Sequence, residues 1–167
     1  MKYRMAARIL NRKLKSVHRN NRFHNLQSAV RIGIIWMDDV PEEQEASKWL
    51  TSFFEGAGKK VTPIPFLSTE MEEIDERTIT PKAFNWLGFP KTDLVQSHLS
   101  AGYDMLICLS MKFSLEMRNF IAMSNADFKI GKKTSATEAF DFSLNISSNR
   151  TPQFLAEQIR HYLDIIQ

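Results

Sequence analysis

One cysteine, Cys108, stands in a chain of 167 residues. That scarcity excludes a disulfide framework and a cysteine-ligated zinc site within one chain. No apolar run approaches the ~20 residues needed to span a bilayer; the longest, residues 32–37 and 105–109, have the length of strands. The basic first turn is not followed by the continuous apolar core of a secretory signal, so a reducing cytoplasm is the expected compartment. Only six glycines are present, and none falls in a GxGxxG or GxxxxGK[ST] pattern. A standard dinucleotide site and a P-loop are therefore excluded, and no cofactor is expected. Acids are missing from the first 37 residues, where nine bases lie: Lys2, Arg4, Arg8, Arg12, Lys13, Lys15, Arg19, Arg22 and Arg31.

What is present is a split charge pattern on a globular composition. Apolar residues make up 43% and charged residues 25%, which predicts one folded domain rather than disorder. Of 22 bases and 19 acids, the segment after residue 37 keeps 13 bases against 19 acids. A basic arm therefore precedes a mildly acidic body, and the division expected is a helix over residues 1–22 followed by a single domain over 23–167. Such an arm points to an anionic partner, or to the body itself.

Hydrophobic periodicity gives the elements. Tyr3, Ala7, Leu10, Leu14 and Val17 recur at three- and four-residue steps, predicting an amphipathic helix over residues 2–19. The near-continuous apolar RIGIIWM, residues 31–37, reads as a central strand covered on both faces. Asp38, Asp39 and Pro41 then mark a helix start, and Gly56 and Gly58 its end. KVTPIPFL, residues 60–67, is an edge strand, because Pro63 and Pro65 lack ladder donors. Residues 68–81 are an acidic loop or short helix. Residues 85–90 form an aromatic turn, read as a plug in which Trp86 and Phe89 are covered. A short helix over 92–100, a buried strand over 103–110, a helix over 113–124 and two short strands at 127–131 and 140–146 follow. Thr151 and Pro152 cap a last helix. This alternation predicts an α/β three-layer sandwich with a mainly parallel sheet, Rossmann-like or flavodoxin-like, preceded by the basic helix.

In such a sheet ligands bind at the carboxyl ends of the strands, which singles out Asp38, Asp39, Ser110, Lys112 and Ser114 as a candidate pocket. Each has a plainer reading: the acids complement a helix N-terminus, and the serines cap one. His18, His24, His98 and His161 lack metal-ligand spacing, so each reads as a surface or hydrogen-bonded histidine, and no metal is expected. Cys108, flanked by Ile107 and Leu109, reads as core. No catalytic residue is assigned, and the chain reads as more binding protein than enzyme.

Three resemblances bear on these residues. Asp38-Asp39 at a strand end resembles the metal-binding acids of response-regulator receiver domains, with Lys132 or Lys133 in place of their lysine; Leu109-Ser110 stands where a receiver carries its phosphate-accepting aspartate. Over nearly its whole length, through RIGIIWMDD, NWLGFPK, YDMLICLS, ADFKIGK and FLAEQIRHYL, the chain resembles a family of short bacterial proteins known as a domain of unknown function. That resemblance implies a fold and a bacterial cytoplasm, but no activity. Residues 103–131, with the YD-led strand, the Arg118 helix and a strand ending in glycine, are similar to the first half-domain of heptosyltransferase-type glycosyltransferases, which implies a fold without the half that holds the sugar nucleotide.

The partner expected first is RNA, plausibly ribosomal, bound through Arg4, Arg8, Arg12, Lys13, Lys15, Arg19 and Arg22. An anionic membrane surface is the second. A small molecule such as a nucleotide sugar at the strand ends is the third.

Overall fold

The computed structural model describes residues 1–135 and 139–166. Among the described residues five strands, β1 (Arg31–Met37), β2 (Lys60–Phe66), β3 (Met105–Cys108), β4 (Phe128–Lys132) and β5 (Phe142–Leu144), form one sheet in the order β2-β1-β3-β4-β5. All four pairings are parallel. This is the flavodoxin-like member of the two expected arrangements. β1 lies between β2 and β3, as its apolar run requires. β2 is the edge strand that its prolines demand, pairing with β1 alone among the strands.

Helices cover both faces. α2 (Pro41–Gly56) and α5 (Pro152–Ile165) lie on one side, and α3 (Asp93–Leu99) and α4 (Leu115–Met123) on the other. The period of two in the strands sorts the core accordingly. Ile32, Ile34, Met105, Ile107 and Ile130 face α2 and α5, where Leu50, Phe54, Leu155 and Ile159 meet them. Ile35, Ile64, Leu106 and Cys108 face α3 and α4, against Val95, Met117, Phe120 and Ile121. Cys108 is fully buried, and burial pushes its thiol up to about 12. It is core, not a nucleophile. The last helix starts as the sequence requires, with the Thr151 hydroxyl accepting from the Phe154 N–H at 3.2 Å and Pro152 in the first turn.

The amphipathic helix α1 (Lys2–Leu14) is shorter than the periodicity implies. Ser16 Oγ and the Ser16 N–H both donate to the Lys13 carbonyl, and Asn21 adopts a left-handed φ of 50°, so residues 15–19 leave the helix although Val17 continues the stripe. α1 packs on α4. Ala6, Ile9 and Leu10 meet Leu87 and Phe89 of the aromatic turn and Leu115 and Met123 of α4. Gly88 is what allows that turn to sit so close. Its φ is +75°, and a side chain there would lie 2.9 Å from Leu115 Cγ and 3.1 Å from Asn119 Nδ2. The Asn119 amide donates to the carbonyls of Leu87 and Gly88 at 3.2 and 2.9 Å. The plug is thus built from Leu87 and Phe89. Trp86 is 63% exposed, contrary to expectation, because the left-handed turn at Gly88 directs Leu87 and Phe89 inward and leaves the indole outside.

Candidate functional site

The sheet order places a topological switch between β1 and β3: the chain leaves β1 for α2 on one face and β3 for α4 on the other. A crevice must open between the two departing loops. It does, as a cavity of about 630 Å³, within the range of small-molecule sites. Met37, Phe66, Phe84 and Met111 supply much of its apolar lining, with Asp39, Lys112, Ser114, Glu116 and Arg150 among its polar groups.

The five strand-end residues expected to make a pocket are thereby divided. Asp39, Lys112 and Ser114 line the cavity, whereas Asp38 and Ser110 do not. Asp38 is occupied with its own surroundings, accepting from Trp36 Nε1 at 3.0 Å and Gln44 Nε2 at 3.1 Å. Asp39 accepts from the backbone N–H and the hydroxyl of Ser68, which fastens the loop after β2 to the loop after β1. Ser114 caps α4, accepting from the Met117 N–H at 3.2 Å. Ser110 is fully buried and donates to the Lys112 carbonyl at 2.7 Å.

The residue that organises this crevice is one that sequence reasoning missed. Glu43, in the first turn of α2, is 2% exposed. One carboxylate oxygen accepts from the Met37 N–H and the other from the Met111 N–H, both at 2.8 Å, with Ser110 Oγ at 3.4 Å. The carboxylate therefore ties the end of β1 to the end of β3 across the switch point. Burial raises its pKa, and the charge of Asp39 adds to that; the backbone and Ser110 hydrogen bonds oppose it without cancelling it. In the sequence Glu43 is one of three glutamates in PEEQE, and nothing there separates it from the exposed Glu42 and Glu45. Arg150, just before the Thr151 cap, was also missed, because it reaches the cavity from the far end of the chain.

The second surface is the outer face of α1. Arg4, Arg8 and Arg12 follow one another at four-residue steps along α1, with Lys15 at its C-terminal cap, which puts the four in one line of about 16 Å. Arg4, Arg8, Arg12, Lys13, Lys15 and Arg22 are all exposed. Among the described residues no carboxylate pairs with any of these six. Lys13 leans over the Phe89 ring at 5.5 Å, a contact that leaves its charge uncompensated. Arg19 is different. Its guanidinium pairs with the Asp141 carboxylate and donates to the carbonyls of Ala126 and Asp127 at 2.9 and 3.0 Å. It is a structural clasp between the arm and the starts of β4 and β5, so the grouping of Arg19 with the solvent-facing cations is corrected: the Asp141 carboxylate just before β5 neutralises it.

No described helix is long and apolar enough to cross a membrane. A family model described as a family of unknown function (DUF6913) matches residues 2–166. No curated protein and no solved structure matches the chain, so the similarity of residues 103–131 to heptosyltransferase half-domains finds no support there.

Proposed function

We propose, since the chain belongs to this family of unknown function and takes no activity from it, that the protein is a binding protein whose α1 docks on RNA, the ribosome being the favoured setting. One observation carries this reading. Ala6, Ile9 and Leu10 of α1 pack on the body, Tyr3 and Met5 stay exposed, and Arg4, Arg8, Arg12, Lys13, Lys15 and Arg22 face outward without a carboxylate partner among the described residues. A helix docked by one face and cationic on the other offers a polyanion a preformed line of charge, with little ordering left to do on binding. The same docking weakens the membrane alternative, because Leu10 would have to leave the body to insert and only Tyr3 and Met5 among the large apolar side chains of α1 are exposed.

The test is salt titration of the chain's binding to a fluorescent RNA hairpin. With four or five phosphate contacts, log K falls against log salt with a slope of about −4. Replacing Arg8, Arg12 and Lys15 together by alanine flattens that slope by about 2 to 3, in proportion to the contacts removed. Binding that ignores salt, or that survives the triple substitution, sinks the reading, as does preferential recovery of the chain on vesicles of anionic lipid.

The cavity favours a second reading, that the crevice between β1 and β3 takes a small molecule. Its support is the cleft volume of about 630 Å³ together with Lys112 and Arg150, which pair with no described carboxylate. A panel of nucleotides and nucleotide sugars is expected to contain at least one compound that raises the melting temperature in the wild type and fails to in Lys112→Ala/Arg150→Ala. A flat panel leaves the crevice as packing only.

A further inference from the structure

Three side chains distant in sequence meet at the amino edge of the sheet, opposite the crevice. Asp104 immediately precedes β3, Asp127 immediately precedes β4, and His24 belongs to the connector that joins α1 to β1. One ligand atom from each lies within 4.8 Å of the other two, and all three side chains are partly buried. His24 Nε2 is 3.1 Å from Asp127 Oδ2, a spacing compatible with a hydrogen bond and equally with two neighbouring ligands of one ion.

The charge balance at this point is unusual. Arg19 and Arg31 are close by in the chain's path, yet neither guanidinium is directed at these carboxylates. Arg19 is committed to Asp141 and to the Ala126 and Asp127 carbonyls, and Arg31 to the carbonyls of Ala101 and Gly102. Asp104 accepts through Oδ2 from the N–H groups of Val30 and Arg31 at 2.7 and 2.8 Å. Two carboxylates thus converge on one imidazole. The Oδ1 atom of each accepts no hydrogen bond from the described residues. The imidazole is itself oriented, with Nδ1 3.2 Å from Ser28 Oγ. When Nδ1–H donates to that hydroxyl, the Nε2 lone pair points toward the carboxylates, an arrangement that calls for a cation between them. A second partner on the far ring nitrogen is also how protein metal sites fix a ligating histidine.

We propose that His24, Asp104 and Asp127 bind one divalent first-row transition-metal ion of the Zn²⁺ class. One imidazole nitrogen and two carboxylate oxygens are a donor set for such an ion rather than for Mg²⁺ or Ca²⁺, which favour oxygen alone. Two negative charges match its charge, and the partial exposure leaves room for water as a further ligand. Bound there, the ion would fasten the connector behind the basic helix to the starts of two sheet strands, locking the orientation of α1 on the body.

The experiment uses the full chain, stripped with a chelator and dialysed against micromolar ZnCl₂. One equivalent of zinc is expected to remain, with a rise of several degrees in melting temperature. Asp127→Asn keeps the size of the side chain and removes a charged ligand, so it is expected to weaken binding at least tenfold. His161→Gln, on α5, should bind as the wild type does. Imidazole nitrogen NMR of the wild type is read alongside, so that a poorly folded variant does not decide the matter: zinc should shift the His24 Nε2 resonance and leave those of His18, His98 and His161 in place. Absence of stoichiometric zinc, undiminished binding by Asp127→Asn, or a shift at another histidine would overturn the proposal.

Discussion

Glu43→Ala is expected to lower the stability of the fold by about 4 kcal/mol, because it strands two buried backbone donors at once at about 1–3 kcal/mol each and opens a small void. The Met37 and Met111 N–H groups each donate to this carboxylate at 2.8 Å, one from the end of β1 and one from the loop after β3. For a chain of this length that loss corresponds to a melting temperature lower by roughly 10 °C. Glu43→Gln separates geometry from charge. It retains one acceptor and turns an N–H donor toward the other backbone N–H, so about half the loss is expected. The pH dependence distinguishes the two causes. Burial raises the folded-state pKa of Glu43 above its unfolded value. The folded state therefore holds the proton more tightly, and this group's contribution is full below about pH 4.3 and is lost as pH rises through the raised folded value. Urea denaturation between pH 4 and 8 should show the wild type losing stability over that interval, a slope absent from Glu43→Gln. Matching slopes in both proteins would mean that Glu43 is not the buried titrating group, and an unchanged midpoint in Glu43→Ala would mean that the two loops are held by something else.

That residue also marks the limit of what could be read from the sequence. The sheet was legible because buried parallel strands leave continuous apolar runs: RIGIIWM and MLIC have no competing interpretation at that length. Pro63 and Pro65 placed β2 at an edge for a reason that is purely local, the missing donors, and Thr151-Pro152 fixed the start of α5 in the same way. Side chains whose role depends on meeting a distant segment were not legible. Glu43 looks like any first-turn acid until β3 is laid beside β1. His24, Asp104 and Asp127 are separated by more than twenty residues each and share no spacing that a motif could express. Arg19 shares its charge and its neighbours in sequence with Arg12 and Lys15, yet among the described residues only Arg19 of the three finds a carboxylate, because α1 stops at Leu14 and the chain turns toward Asp141. The early stop itself was hidden, since Val17 continues the apolar period past the point where the Ser16 hydroxyl takes the Lys13 carbonyl.

Lys129 is a lysine held inside the sheet, and replacing it should strengthen the protein. It stands in β4 between Phe128 and Ile130 and is 2% exposed, on the sheet face opposite to theirs. Its ammonium donates to the Ala122 carbonyl at 3.0 Å. Burial, with the nearby Arg19 charge adding to it and Asp141 partly offsetting it, lowers its pKa to about 7. The unfolded chain keeps that proton up to about pH 10.4. Between these values the unfolded state binds more protons than the folded one, so stability rises with pH across the window and the cost of holding this lysine is complete below about pH 7. Lys129→Met keeps the length and the packing of the stem and removes the charge. It should gain about 2 kcal/mol at pH 7, the net of relieved desolvation and the lost hydrogen bond to Ala122. The gain should shrink steadily as pH climbs and be lost only above about pH 10.4, where the wild-type amine is neutral in both states. Paired denaturation curves at pH 6, 7, 8.5 and 10 read this directly. A substitution that destabilises at every pH, or a difference that does not converge at high pH, would show that the Lys129 ammonium reaches solvent and is not held in the sheet with a lowered pKa.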